Sequence, residues 1–362
     1  MTNIVDYIKW RGDLSFEVSP LNEVDNLIFS KLVYLDLEDI VPMDSDMTIG
    51  QIAGLYHETK GIKKLGALLN ENFAKLLMIA GQSCRFKDVS VSHLVDYTCE
   101  ETTIQFAAMT FKINDIISYI AFRGTDDTLV GWKEDFMMNF METVPAQKES
   151  LDYINNVIGK KPKGKYYVGG HSKGGNLAVY ASVHTDYKDQ ILGIYNNDGP
   201  GFKESMTRSE KYHMVSDRMH TLVPKSSVVG MLLEHEESFE VVECRYKRSG
   251  LLQHDGFTWH VLGTSFIHLP EVDDESKLMS KTIKGVLNTM TLDQRQAFTN
   301  AFFEVLSTNN QKSLLDIQSG HFKSLFAITK AYSALDDETK KLLRDVFNMM
   351  FDEGFKNLWA RE

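Results

Sequence analysis

The sequence predicts an α/β protein with a largely parallel central sheet, and three observations carry that expectation. Strand-like and helix-like segments alternate from about residue 88 to residue 200. A glycine-rich stretch, KYYVGGHSKGGNLAVY at residues 165–180, reads as strand, turn and helix in immediate succession. The segments on either side of this core are helical in pattern. Alternation of this kind places parallel strands beneath helices on both faces.

Taken in order, SPLNEVDNLIFSKLVYL carries Leu21, Val24, Leu27, Ile28 and Leu32 at helical spacing. Thr48 is suited to cap a second helix, IGQIAGLYHE, and KKLGALLNENFAKLLMIAG is a third. From about Asp88 the period changes. VSVSHLVDY, TTIQFAAMTF and IISYIAF are rich in β-branched and aromatic residues and read as three strands. Helices follow in GWKEDFMMNF and ESLDYINNVIG, then the strand YYVGG, a helix from Gly174 to about His184, and the strand ILGIYNN. The polar segment 201–219 is a candidate lid, with a surface excursion as the plain alternative. HTLV and FEVVECRY continue the strands. Beyond Leu269 the pattern is helical to the end, where Leu343, Val346, Phe347, Met350, Phe351 and Leu358 form a stripe suited to core packing. The expected organisation is a helical region at 1–82 packed on a core at 83–270, followed by a helical region at 271–362.

Composition narrows the function. With 43% hydrophobic residues in 362, the chain can bury a sizeable core. A net charge of -11, from 50 acidic and 39 basic residues, opposes a polyanion, so nucleic acid is not an expected partner. The three cysteines, Cys84, Cys99 and Cys244, form no C-x-x-C pair and are expected as reduced, mostly buried thiols. Asp6, Lys9, Arg11 and Asp13 interrupt the start where a signal peptide needs an apolar run, and no later run reaches the roughly 20 apolar residues of a membrane span. A cytoplasmic, soluble protein is the expectation. His213, His220, Glu234 and His235 are the densest scatter of ligand-type side chains but lack a ligand spacing, so neither metal nor cofactor is expected.

The chemistry centres on Gly170-His171-Ser172-Lys173-Gly174. A bare G-x-S-x-G arises by chance in about one chain in ten of this length, so its setting decides its meaning. Here a strand precedes it and a helix follows, the frame of a nucleophile elbow. Side chains two residues either side of the serine would collide with strand or helix, and Gly170 and Gly174 remove them. The hydroxyl of Ser172 is then exposed, and the Lys173 N–H, at the positive end of the helix, can face an oxyanion. Upstream, IAFRGTDDTLVGWKEDF places Thr125 on the loop suited to a second oxyanion donor.

FRGT, the Trp and Asp of GWKEDF, and GGHSKGGNLA together resemble the class 3 lipases, α/β-hydrolases that include fungal triacylglycerol lipases, over residues 85–259. DYIKWRGDLSF, SCRFKDV, NNDGPGF and QHDGFTW are similar to a bacterial family of uncharacterised lipase-like proteins over nearly the whole length. The resemblance implies the α/β-hydrolase fold with Ser172 as nucleophile, Thr125 as second oxyanion donor and a late histidine as base.

His254, on a turn-like segment after the last core strand, is the preferred base, with His260 as its nearest rival and His171 expected to point away. The acid departs from the class 3 pattern, in which an Asp precedes a Val and Pro after the next-to-last strand. This chain reads Lys225-Ser226-Ser227-Val228 after HTLVP. Asp198, at the end of the strand after the elbow and followed by Gly199-Pro200-Gly201, is the preferred substitute, ahead of Glu234, Glu236 and Asp255. The expected activity is a serine hydrolase acting on lipid or small carboxylic esters. A catalytically inactive binding module, or an acyltransferase using the same residues, are the alternatives.

Overall fold

In the computed structural model, residues 2–42, 46–61, 70–247, 250–288, 290–307 and 312–313 are described. Four helices open the chain: α1 (Ile4–Arg11), α2 (Glu23–Leu32), α3 (Ile49–Thr59) and α4 (Asn72–Gln82). Three of them start where a short polar side chain meets an acid or amide three residues on. Asn3 with Asp6, Asn22 with Asp25, and Thr48 with Gln51 each form a reciprocal capping box.

Among the described residues one nine-stranded sheet runs through β1 (Met47–Thr48), β2 (Ser90–Cys99), β3 (Ile104–Lys112), β4 (Ile117–Phe122), β5 (Lys165–His171), β6 (Ile191–Asn197), β7 (Met219–Pro224) and β8 (Phe239–Val242). A short ribbon of β9 (Val261–Leu262) and β10 (Ser265–Phe266) precedes β11 (His268–Leu269), which closes the sheet against β8. The pairings β4–β5, β5–β6, β6–β7 and β7–β8 are parallel and those on the two flanks antiparallel. This is the α/β-hydrolase fold.

Alternation along the strands divides the core in two. Tyr119 and Ala121 face the cluster built with Leu27, Ile28 and Phe29 of α2, whereas Ile120 and Phe122 face the cluster built with α6 (Pro145–Lys160) and α7 (Lys173–His184). The N-terminal helices therefore cover one face of the sheet. Arg85 ties them down: its Nε donates to Asp25 at 2.7 Å, its other nitrogens reach the carbonyls of Leu14, Ser19 and Pro20, and its guanidinium lies 4.0 Å from the Phe16 ring centroid.

The registers align the strand ends that matter. Phe122 pairs with Gly170, His171 with Asn197, and Asn197 with Leu222. The segments after β4, β5, β6 and β7 thus leave one edge of the sheet together, the carboxyl edge where open α/β sheets place their sites.

Elsewhere some expectations change. FEVVECRY stops as a strand at Val242, because Glu243 N–H turns to the Ile267 carbonyl and Cys244 pairs with Trp259. Of the three free thiols only Cys244 is buried; Cys84 lies in the exposed turn after α4 and Cys99 is half-buried at the end of β2. Segment 201–219 contains the short helices α8 (Glu204–Thr207) and α9 (Glu210–His213), with Tyr212 and Val215 fully buried and the Tyr212 hydroxyl bonded to Glu237. Helix α10 (Gly250–Gln253) leads into the His254 segment. Helices α11 (Asp274–Asn288) and α12 (Leu292–Leu306) follow the core, and α12 packs Phe302 and Phe303 against Leu129 and Phe136 of α5 (Leu129–Met137). The apolar stripe at 343–358 and residues 63–69 of the third predicted helix lie outside the described residues. Among the described residues no helix is long and apolar enough to cross a membrane.

Candidate active site

Ser172 stands between β5 and α7 with φ 59° and ψ -134°, a conformation costing a non-glycine residue on the order of 1–3 kcal/mol. It occupies the position before the first helical residue, yet its hydroxyl caps no amide. The elbow is as tight as its glycines suggest: a Cβ on Gly170 would lie 2.3 Å from the Gly174 carbonyl carbon, and one on Gly174 would lie 2.1 Å from the Phe122 oxygen. Ser172 N–H donates to Asn197 at 2.9 Å, which fixes the turn beside the end of β6.

The end of β6 carries Asp198, fully buried and itself at φ 53°. His254 Nδ1 donates to Asp198 Oδ2 at 2.6 Å. The other carboxylate oxygen accepts from Ser227 Oγ at 2.5 Å and from Gly230 N–H at 3.1 Å. Ser227 lies in the very segment, Lys225 to Val228, where the class 3 pattern has an acid. That serine supports the Asp198 carboxylate from the end of the neighbouring strand. Because Nδ1 is committed to Asp198, Nε2 of His254 is the nitrogen left to accept a proton.

The other sequence candidates are engaged elsewhere. His260 is buried with Nδ1 3.4 Å from Glu243. Glu234 pairs with Lys284 at 3.0 Å, Glu236 with Arg208 at 3.8 Å and Asp255 with Lys31 at 3.8 Å.

His171 was expected to point away from the base, but its ring lies against that of His254 with centroids 4.6 Å apart. Bonds to the His254 carbonyl on one side and the Tyr34 hydroxyl on the other turn the ring there. Its Nε2 donates to the His254 carbonyl at 2.6 Å, so Nδ1 is the acceptor facing the Tyr34 hydroxyl at 3.3 Å. Burial, then the charge of Lys31 and then His254, hold His171 well below the ordinary histidine pKa, so it is a neutral clamp.

On the opposite side, Thr125 Oγ1 donates to Asp135 Oδ2 at 2.6 Å, and Arg123 fastens the loop to Asp96 and Asp126. Burial pushes the Asp135 carboxyl up to about 6, against the opposing pull of Lys173 and the Thr125 bond. Beyond its backbone amide, Lys173 sends a fully buried side chain to Glu134, the Gln105 carbonyl and Gln105 Oε1, each at 2.9 Å. The first-turn N–H of Lys173 has no acceptor within its helix by geometry, which leaves it available beside Ser172.

Sequence reasoning missed Lys31, Tyr34, Glu134, Gln105 and Ser227. All are brought in from elements remote in sequence, and only a polar residue at an otherwise buried position could have marked them. As to metals, Glu23, Glu240 and His268 are the group among the described residues whose ligand atoms converge; His268 already bonds both carboxylates, at 2.9 Å each.

A family model described as Mbeg1-like matches residues 80–304, well over half of the chain and all of Thr125, Ser172, Asp198 and His254. The chain belongs to the Mbeg1-like family. The Mbeg1-like chain is similar in structure to lipase II from Rhizopus niveus, at 15% identity and a TM-score of 0.33, covering 42% of this chain and 66% of that one, just under two thirds. It is similar to M37 lipase at 18% identity and a TM-score of 0.38, covering 59% and 70%. A third likeness is to a triacylglycerol lipase whose catalytic centre is described as a serine protease triad, at 13% identity and a TM-score of 0.35, covering 61% and 78%. No curated protein matches the sequence.

Proposed function

We propose that this Mbeg1-like protein is a serine hydrolase that cleaves acyl esters through an acyl-enzyme on Ser172. The observation that carries the reading is the 2.6 Å bond from His254 Nδ1 to a buried Asp198, beside a serine held at positive φ on a strand-turn-helix elbow. That combination fixes a base with its free nitrogen bare and a hydroxyl held out of the helix.

In this scheme the Ser172 proton passes to His254 Nε2 as Oγ bonds to the ester carbonyl carbon. The resulting oxyanion accepts hydrogen bonds from the backbone N–H groups of Thr125 and Lys173. Asp198 stabilises the imidazolium. The tetrahedral species collapses, the C–O bond to the alcohol breaks, and His254 returns its proton to the leaving alkoxide. Water then repeats the sequence on the acyl-enzyme, releasing the carboxylic acid. An inactive binding module was suggested by the missing acid after HTLVP, and Asp198, bonded by Ser227, supplies a carboxylate in its place. Transfer of the acyl group to an alcohol instead of water would use the same residues, and product analysis with added alcohols separates the two.

The test is labelling by a fluorophosphonate probe together with turnover of p-nitrophenyl esters of several chain lengths. Ser172→Ala and His254→Ala should each lower kcat by about 10⁴-fold or more and abolish labelling. Equal labelling of wild type and Ser172→Ala would refute the assignment.

A further inference from the structure

Lys31 lies on α2, ahead of the family-matched region, and its side chain is only 3% exposed. Its ammonium sits 5.6 to 5.7 Å from the ring centroids of Tyr34, Phe73 and Phe257, inside a cage of three aromatic faces. The Asp255 carboxylate is 3.8 Å away. Two of these contacts, Asp255 and Phe257, belong to the segment that carries His254. A third, Tyr34, places its hydroxyl 3.3 Å from His171 Nδ1. The ammonium therefore touches both arms of the histidine pair, the base through its following residues and the clamp through Tyr34. Gly256 packs over it as well, since a Cβ there would lie 3.0 Å from Lys31 Cε.

A buried ammonium is costly unless its charge is used, and aromatic faces with one off-contact carboxylate compensate it only in part. The charged and titratable groups that face it are Asp255 and Asp198 on the acidic side and His171, with His254 behind it, on the basic side. Burial lowers the Lys31 pKa to about 8, with Asp255 and then Asp198 pulling the other way, so the ammonium is charged throughout the acidic range. That charge in turn disfavours a proton on His171, which must stay neutral to avoid setting a second cation against the imidazolium that His254 forms.

We propose that Lys31 is a positioning residue for the base: its caged ammonium holds the His254 segment against α2 and keeps the clamp His171 neutral. This rests on the reading of Ser172, His254 and Asp198 as a catalytic triad. Its effect is to keep His171 Nδ1 an acceptor for the Tyr34 hydroxyl, and to keep a second cation away from His254, at mildly acidic pH where an ordinary histidine would take up a proton.

The test is ¹⁵N-histidine NMR of the full chain, paired with pH profiles of kcat/KM. In the wild type His171 should remain a neutral, Nε2-protonated ring well below the ordinary histidine midpoint, because burial and then the Lys31 charge disfavour its proton. An imidazolium signal at pH 6.5 would overturn the proposal, whether or not any variant folds. In Lys31→Met, which keeps the length and apolar stem, the His171 midpoint should rise by about one pH unit, with the acid limb of kcat/KM moving the same way. Lys31→Arg, retaining the charge, should keep both at wild-type values. A folded Lys31→Met with an unchanged His171 midpoint sinks the idea. If no Ser172-dependent hydrolysis is found, the triad reading fails, while the NMR measurement still decides whether Lys31 governs His171.

Discussion

Two polar clusters flank Ser172, and they are built to different standards. On the base side Asp198 is saturated: one oxygen holds His254, the other accepts from Ser227 and Gly230. On the oxyanion side Lys173 reaches three acceptors at 2.9 Å, yet Gln105 Nε2, Asp135 Oδ1, Trp132 Nε1 and Arg123 Nε are buried without a partner among the described residues. Each such atom costs about 1–3 kcal/mol. The His254 side is therefore fully bonded, whereas the Thr125 and Lys173 side carries polar groups still open to gain bonds.

The contrast can be broken most severely on the saturated side. Asp198→Asn keeps the shape but loses the charge that selects the Nδ1–H tautomer of His254. It should lower kcat by about 10⁴-fold with little change in KM, as steady-state ester hydrolysis would read. A drop below tenfold would mean that another group orients the base.

On the other side the largest effect should fall on stability. Glu134→Ala strands the fully buried Lys173 ammonium and should destabilise the fold by about 3–5 kcal/mol in denaturant unfolding. Lys173→Met combined with Glu134→Leu should recover only part of that loss, because it removes the stranded charge but leaves the Ala146 and Gln105 backbone N–H groups, which also donate to Glu134, without an acceptor. A double variant as unstable as the single one would contradict this.

The finest test concerns pH. The folded Asp135 carboxyl has a pKa of about 6 against an ordinary 3.8, so the folded state takes its proton first. The cost of ionising it in place is absent below about pH 4, grows as pH rises through 6, and is full above that. Asp135→Asn, which can still accept from Thr125, should therefore be more stable than wild type by about 2 kcal/mol at pH 8 and indistinguishable from it near pH 4. Thermal melts at the two pH values compare the variants directly.

Much of this was legible in the sequence, for identifiable reasons. The elbow could be read because its strand, turn and helix are contiguous and its glycines answer to sterics. His254 and Asp198 could be read because each ends or follows a strand that the topology sends to the same sheet edge. The partners of Lys173 could not: Glu134 is 39 residues and Gln105 68 residues away, and nothing local distinguishes an inward lysine from a solvated one. The histidine clamp was hidden for the same reason, since the direction of a ring within the elbow is set by Tyr34 and the His254 segment. Lys31 follows three apolar residues and a serine on an amphipathic helix, where it reads as a surface charge.

The backbone of Ser172 has a consequence for how this site can drift. At φ 59° a glycine would relieve the conformational cost, so one substitution away lies a sturdier chain without the hydroxyl. Any random walk biased toward robustness runs downhill into that inert neighbour. If Ser172 is the nucleophile proposed above, a lineage that keeps serine at this corner is being held uphill by demand for its oxygen.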